Sequence, residues 1–297
     1  SLRRTLSAYR IGAGDRTTRL SARSFTHATL TPHGPGTLHL TWTDDPAPVA
    51  GCGLDARAWG PGAAWLLDRV DAITGAADHP IEFADAHPVV ARALALTRTA
   101  RVGASYNLYH LLVPMIIGQR ITAGEAIRQW HRLIDALGEP APGPPDIVAG
   151  LRLPPAPESL RGRPPWWFHP FGIEAKRARA ITEVARHAGK FWAWADQGPE
   201  ITAQKLQLIP GVGPWTIGSV LGPALGDPDA VAVGDFHFAN IVAWALAGEP
   251  RATDERMLEL LAPYHGQRGR VLHALTSTAG RAPAFGPRQR IVPIARL

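Results

Sequence analysis

The 297-residue sequence predicts a mostly α-helical protein with a smaller N-terminal α+β part. Residues 25–30 and 37–42 alternate polar and apolar side chains at period two, the pattern of half-buried strands. From about His87 apolar residues recur at helical spacing instead. Residues 205–220, KLQLIPGVGPWTIGSV, set two apolar helical stretches on either side of a Pro-Gly-Val-Gly turn. These patterns divide the chain into an antiparallel-sheet domain over 1–86, a helical domain over 87–280 and a basic tail over 281–297.

In chain order, the two strands read as a hairpin connected through Thr31-Pro32-His33-Gly34-Pro35-Gly36. Gly60-Pro61-Gly62 then leads into one helix over 63–70. His87-Pro88 opens another, since proline suits the first helical position. Residues 106–117 are strongly apolar and read as a buried helix, interrupted by Gly118-Gln119-Arg120. Thr122 and Glu125 have the spacing of a capping box for a helix to Leu137. Residues 139–157 are rich in Pro and Gly and read as a long loop with one short helix. Helices follow over 173–187, 201–208 and 236–246, then one capped by Asp254 and a last one over 267–275. Pro164-Pro165-Trp166-Trp167-Phe168-His169-Pro170 is read as packing the sheet on the helices, with an approach to a polyanion as the other reading. Lys176, Arg177 and Arg179 follow on a helix as phosphate-contact candidates.

Composition excludes several classes. No run of eighteen apolar residues exists, so no transmembrane helix is expected, and no apolar signal core follows the Arg-rich start; the expectation is a cytoplasmic monomer. The single cysteine, Cys52, cannot form an internal disulfide, a four-cysteine iron–sulfur cluster or a zinc site, and reads as a small residue in a turn or core. Net charge is +6, and all but three of the 31 basic residues are arginine, a side chain suited to bidentate phosphate contacts. A GC-rich genome would give the same bias. Residues 261–297 contain no acid but carry Arg268, Arg270, Arg281, Arg288, Arg290 and Arg296, part of which reads as a loose basic tail.

The hairpin and one aspartate carry the chemistry. Glycines permit the tight turn and the close approach of another backbone. The second helix begins at Pro214, and the unpaired N–H groups of its first turn suit an anion such as phosphate. Asp235 lies twenty-two residues after Gly213, before another apolar helical run. By itself Asp235 reads as a helix N-cap.

Together these features resemble the helix-hairpin-helix DNA glycosylase superfamily, whose signature is Leu-x-x-Leu/Ile-Pro-Gly-Val-Gly, a helix, and a catalytic aspartate. Lys205-Leu206-Gln207-Leu208-Ile209-Pro210-Gly211-Val212-Gly213 and Asp235 fill it. Trp215 directly after Gly213-Pro214, the segment IIGQRIT over 116–122 and the N-terminal sheet look most like the bacterial 3-methyladenine DNA glycosylase II branch.

The resemblance implies a monofunctional enzyme of base excision repair that flips a damaged base from duplex DNA and hydrolyses its N-glycosidic bond. Its substrates would be 3-methyladenine and related N-alkyl purines. The alternatives are a glycosylase for deaminated or oxidised bases, and a non-catalytic relative that binds damage or unusual DNA structure. Asp235 would stabilise positive charge on the sugar and help activate water. Trp215, Phe236 and Ser219 would line the lesion pocket, with Ser219 standing where the branch can carry a tyrosine. Gly211, Gly213, Pro214 and Thr216 would hold a DNA phosphate. Arg120, with Gln119 beside it, would fill the gap left by the flipped base, unless it is an ordinary surface arginine. The resemblance also implies a monovalent cation on the carbonyls of Gln207, Ile209 and Val212, and no cofactor for catalysis. Trp215 stands where the strand-nicking relatives carry a lysine, which implies no lyase step.

Overall fold

The alternating residues build a sheet. A computed structural model describes residues 1–43 and 53–278. Four antiparallel strands lie in the order β1 (Thr18–Leu20), β2 (Ser24–Thr31), β3 (Gly34–Trp42) and β4 (Leu54–Trp59). Thr31 pairs with Gly34, so the hairpin connection shrinks from the expected six residues to Pro32-His33. Phe25 pairs with Leu40 and His27 with Leu38. On this face Phe25, Leu38, Leu40 and Trp42 bury against Leu2 and Leu6 of helix α1 (Leu2–Leu6). On the other face Ala28 packs with Ala141, Val148, Leu151 and Leu153. The segment read as a long loop is therefore a cover for the sheet, and β2 is buried on both faces.

After β4 come α2 (Ala63–Leu67) and α3 (Val70–Thr74), two short helices where one was expected. The longer elements are α4 (Pro88–Thr97), α5 (Leu108–Ile117) and α6 (Ala123–Leu137). Thr122 accepts the Glu125 N–H at 3.3 Å, but the Glu125 carboxylate takes Gln129 instead of closing the capping box. The cover of the sheet includes α7 (Pro145–Val148), and α8 (Pro157–Leu160) follows it. Then come α9 (Ala175–His187), α10 (Phe191–Ala195), α11 (Pro199–Gln207), α12 (Pro214–Leu225) and α13 (Phe238–Ala247). The helix α14 (Asp254–Leu261) is capped by Thr253 rather than Asp254, which sits in its first turn facing the positive end of the dipole. The last described helix is α15 (Arg268–Thr278). No helix among the described residues is long and apolar enough to cross a membrane.

Two helical cores result. Side chains of α5, α6, α9, α11 and α12 share one, centred on Leu112, Ile116, Trp130, Phe168 and Ile181. Those of α4, α13, α14 and α15 share the other, around Val90, Val242, Met257 and Val271. The chain crosses from the first to the second between Leu225 and Phe238, and Asp235 stands on that crossing.

Several basic and aromatic residues have roles other than those expected. Arg177 is buried rather than available to phosphate: it donates to the Ile117 carbonyl at 2.5 Å and to Gln129 Oε1 at 3.0 Å. Lys176 and Arg179 are exposed. Arg268 and Arg270 lie in α15, where a helix was expected, and pair with Asp229 and Asp78. Trp167 packs on Phe168, Phe171 and the Arg163 guanidinium, not between sheet and helices, while Trp166 is exposed. Cys52, Arg281, Arg288, Arg290 and Arg296 lie outside the described residues.

The sheet meets α5 through a buried histidine pair. The His27 and His110 rings stack 4.9 Å apart. His27 Nδ1 lies 2.8 Å from Thr18 Oγ1, and His110 Nδ1 lies 2.8 Å from Thr29 Oγ1. Burial pushes His27 down from its ordinary value of 6.5 to about 4, and burial followed by the neighbouring His27 pushes His110 well below it. Both rings are thus neutral when folded, and the unfolded chain binds protons first. The stability they contribute is present above pH 6.5 and is lost as pH falls below it, for His27 down to about 4. For His27 alone this amounts to about 3 kcal/mol. The melting temperature should therefore fall steeply between pH 6.5 and 4.5, and more shallowly in His27→Phe. A flat profile in the parent protein would rule out this account.

Candidate active site

The hairpin is built by three buried side chains and one glycine. Leu206, Ile209 and Val212 anchor it in the first helical core. The Val212 N–H closes the turn on the Ile209 carbonyl at 3.0 Å. Gly211 has φ +89, and a Cβ there would lie 2.4 Å from Ala180 Cβ of α9, so both conformation and space demand glycine. Gly213 is different: its backbone is extended and nothing lies within 4 Å of where a Cβ would be. Its bareness leaves an open surface. The N–H groups of Gly211, Gly213 and Trp215 donate to no partner among the described residues, and Pro214 has none to donate. They stand at the N-terminus of the twelve-residue α12, where the helix dipole favours an anion.

The hairpin is tied to the turn after α5. Gln119 Nε2 donates at 2.9 Å both to the Gly211 carbonyl and to Thr216 Oγ1. Thr216 is buried and its hydroxyl is engaged, so its side chain does not face a partner as expected. Gln119 itself acts as a strut. Next to it, Arg120 is exposed and has φ +60, in the left-handed region that non-glycine residues rarely occupy.

Asp235 sits where α12 faces the start of α13. Its Oδ1 accepts the His237 N–H at 2.9 Å and the Phe238 N–H at 3.3 Å. Its Oδ2 accepts the Trp215 Nε1–H at 3.1 Å. A carboxylate has about four lone-pair sites. Three are used here, and the one left free belongs to Oδ2. The N-cap of α13 is His237, so Asp235 is not the cap itself; it braces the turn just ahead of the helix and keeps one oxygen position for something else. The sequence offered no sign of the Trp215 bond, because the partners are brought together only by the crossing segment.

The remaining predicted pocket residues, Ser219 and Phe236, differ in exposure. Ser219, one turn after Trp215, donates to the Trp215 carbonyl at 2.7 Å, leaving its oxygen free to accept. Phe236 is 86% exposed, with its ring edge-on to His237 at 4.9 Å, so it borders an open face and not a closed pocket. A cavity of about 830 Å³ lies nearby along α12, lined by Gly218, Gly222, Ala230, Arg270 and His273 among others, but by none of Asp235, Trp215 and Phe236.

The carbonyls of Gln207, Ile209 and Val212 offer the oxygen ligands that a hard monovalent cation takes. Ile209 already accepts from Val212, while those of Gln207 and Val212 accept no backbone N–H among the described residues. Unpaired carbonyls beside a tight turn fit such an ion. Among the described residues no group of three His, Cys, Asp or Glu side chains has metal-binding geometry.

No family model matches the chain, and no curated protein matches it. Solved structures do. A 3-methyladenine DNA glycosylase from Archaeoglobus fulgidus superposes with a TM-score of 0.70 at 15% identity, covering 93% of each chain. The Clostridium acetobutylicum 8-oxoguanine glycosylase/lyase in its apo form gives 0.58 at 10% identity, covering 89% of this chain and 99% of that one. The Schizosaccharomyces pombe 3-methyladenine DNA glycosylase bound to abasic DNA gives 0.52 at 17%, covering 66% and 93%. The chain, with its four-stranded antiparallel sheet and two helical cores, thus shares its fold with these solved DNA glycosylases.

Proposed function

We propose that the protein is a monofunctional DNA glycosylase that excises alkylated bases, 3-methyladenine and related N-alkyl purines, by hydrolysis. The observation that carries this reading is the Asp235 carboxylate. It is oriented by three hydrogen bonds, has one free position on Oδ2, and stands beside a hairpin with unpaired N–H groups.

The chemistry follows from those groups. An N-alkylated purine carries positive charge, so when its bond to C1′ breaks the electron pair leaves with the base, which departs neutral. No acid is needed at the leaving group. Positive charge builds on the sugar, and the Asp235 carboxylate stabilises it electrostatically. Water adds to C1′, and the free Oδ2 position accepts its proton. The exposed Phe236 ring and the half-buried Trp215 ring suit a cationic base through cation–π attraction. Gly211, Gly213 and Trp215 N–H groups bind a phosphate, and a monovalent cation on the Gln207, Ile209 and Val212 carbonyls would add charge there. Arg120, fixed in its left-handed conformation beside the Gln119 strut, fills the gap left by the flipped base. The 281–297 arginines would add sequence-independent affinity.

Trp215 offers no amine for attack on the sugar. Lys205, the lysine of the hairpin region, donates to Gln197 Oε1 at 2.6 Å and lies over the Trp194 ring, away from Asp235. Both facts support base removal without strand cleavage.

The test is base release from duplexes carrying 3-methyladenine, 7-methylguanine, hypoxanthine, uracil or 8-oxoguanine, with strand integrity followed in parallel. Release of the two alkylated purines without nicking is expected. Release of only deaminated or oxidised bases would replace the specificity, nicking would reinstate a lyase, and no release from any duplex would leave a DNA-binding protein. Binding should also weaken by about 10³-fold from 50 to 200 mM salt if some six phosphates are neutralised.

A further inference from the structure

Asp235 rides on a stretch of chain with no regular structure, yet its carboxylate must hold a precise place. Residues 228–234 pass between α12 and α15, and each helix offers a glycine where they touch. A Cβ at Gly218 of α12 would lie 2.1 Å from the Val231 carbonyl oxygen and 2.7 Å from Ala232 Cα. A Cβ at Gly269 of α15 would lie 2.3 Å from the Ala230 carbonyl oxygen. Real Cβ atoms do not approach backbone so closely, and backbone cannot swing aside as a side-chain tip does. Neither glycine is needed for its own conformation, since both sit in helices where alanine is the better former. What demands them is the passing chain.

The first turn of α15 also grips that chain. Asp229 accepts the Arg268 N–H at 2.8 Å and the Arg268 guanidinium in a fork, Nε at 2.9 Å and Nη2 at 2.5 Å. The Arg270 N–H donates to the Pro228 carbonyl at 2.8 Å. From the held residues the geometry passes on through short-range bonds: Val233 N–H to the Val231 carbonyl, and Asp235 N–H to that of Ala232.

We propose that Gly218, Gly269 and the Asp229–Arg268 pair are positioning residues for Asp235. They form a two-sided notch that fixes 228–234 and thereby aims the carboxylate. The proposal rests on the glycosylase reading above. Gly218→Ala forces the Val231 carbonyl back by more than 1 Å, and misplacement on that scale costs about a hundredfold in rate. The hairpin and its phosphate site are left intact.

The experiment is single-turnover release of an alkylated purine, with affinity for undamaged duplex measured on the same preparations. Gly218→Ala and Gly269→Ala should each lower the release rate by about a hundredfold, and Asp229→Asn by about tenfold, with duplex affinity within threefold of the parent. Should Gly218→Ala fail to fold, Asp229→Asn, which keeps the side chain's shape, gives the same readout. Rates within threefold of the parent, or rate and affinity falling together, would overturn the proposal while base release by the parent stands. A parent that releases no base removes the glycosylase reading, and this inference with it.

Discussion

Asp235→Asn is expected to abolish base release, by about 10³-fold or more, while duplex affinity stays within about tenfold. Asparagine has nearly the shape of aspartate, so its oxygen still accepts the His237 and Phe238 N–H groups. Its amide then turns two donors towards the Trp215 Nε1–H and the sugar, where the carboxylate offered a charged acceptor. Removing one preorganised electrostatic group from a transition state costs about 3–4 kcal/mol, and here the group carries a full charge. On the proposed function, phosphate contacts at the hairpin would dominate affinity, so it should be spared. Single-turnover release and a binding titration on the same sample separate the two effects. Unchanged release would remove Asp235 from the chemistry.

Arg177→Ala is expected to destabilise the protein by about 3–5 kcal/mol. The guanidinium is buried, with the half-exposed Glu174 carboxylate 3.6 Å from its Nε. Burial lowers its affinity for the proton, and the charges of Glu174 and Glu125 oppose that. Deleting it leaves the Ile117 carbonyl and Gln129 Oε1 without a donor, and a void where the side chain lay. Ile117 leads directly into the Gln119 strut, so the hairpin should loosen as well. For a chain of this size the melting temperature should fall by roughly 10 °C. Arg179→Ala, on the exposed face of the same helix, should change stability by less than about 0.5 kcal/mol. Equal midpoints for the two variants would refute the structural role of Arg177.

That contrast shows where sequence reading stops. Arg177 and Arg179 are indistinguishable as residues in a basic helix, and only the packing of α9 on α5 and α6 makes one internal. Arg268 and Arg270 fall in the helix the sequence predicts over 267–275, but the acids that pair with them, Asp229 and Asp78, are far away in sequence and could not be read from it. The segment 139–157 lacked periodicity and read as a loop, yet its apolar residues cover a sheet face.

Local chemistry did dictate much. The hairpin over 205–220 follows from buried anchors at helical spacing, a glycine that must adopt positive φ, and a proline that starts a helix. Period-two alternation marks β2 and β3, and Thr122 caps α6 as its spacing requires. These signals are legible because each depends on neighbours within a few residues. The site is not of that kind. The Trp215–Asp235 bond, the Gln119 strut and the glycine notch at Gly218 and Gly269 join groups 20 to 97 residues apart or lying on different helices. Side chains so far apart along the chain meet only when two helical cores close around the crossing segment, and it is that closure which decides where the Asp235 carboxylate points.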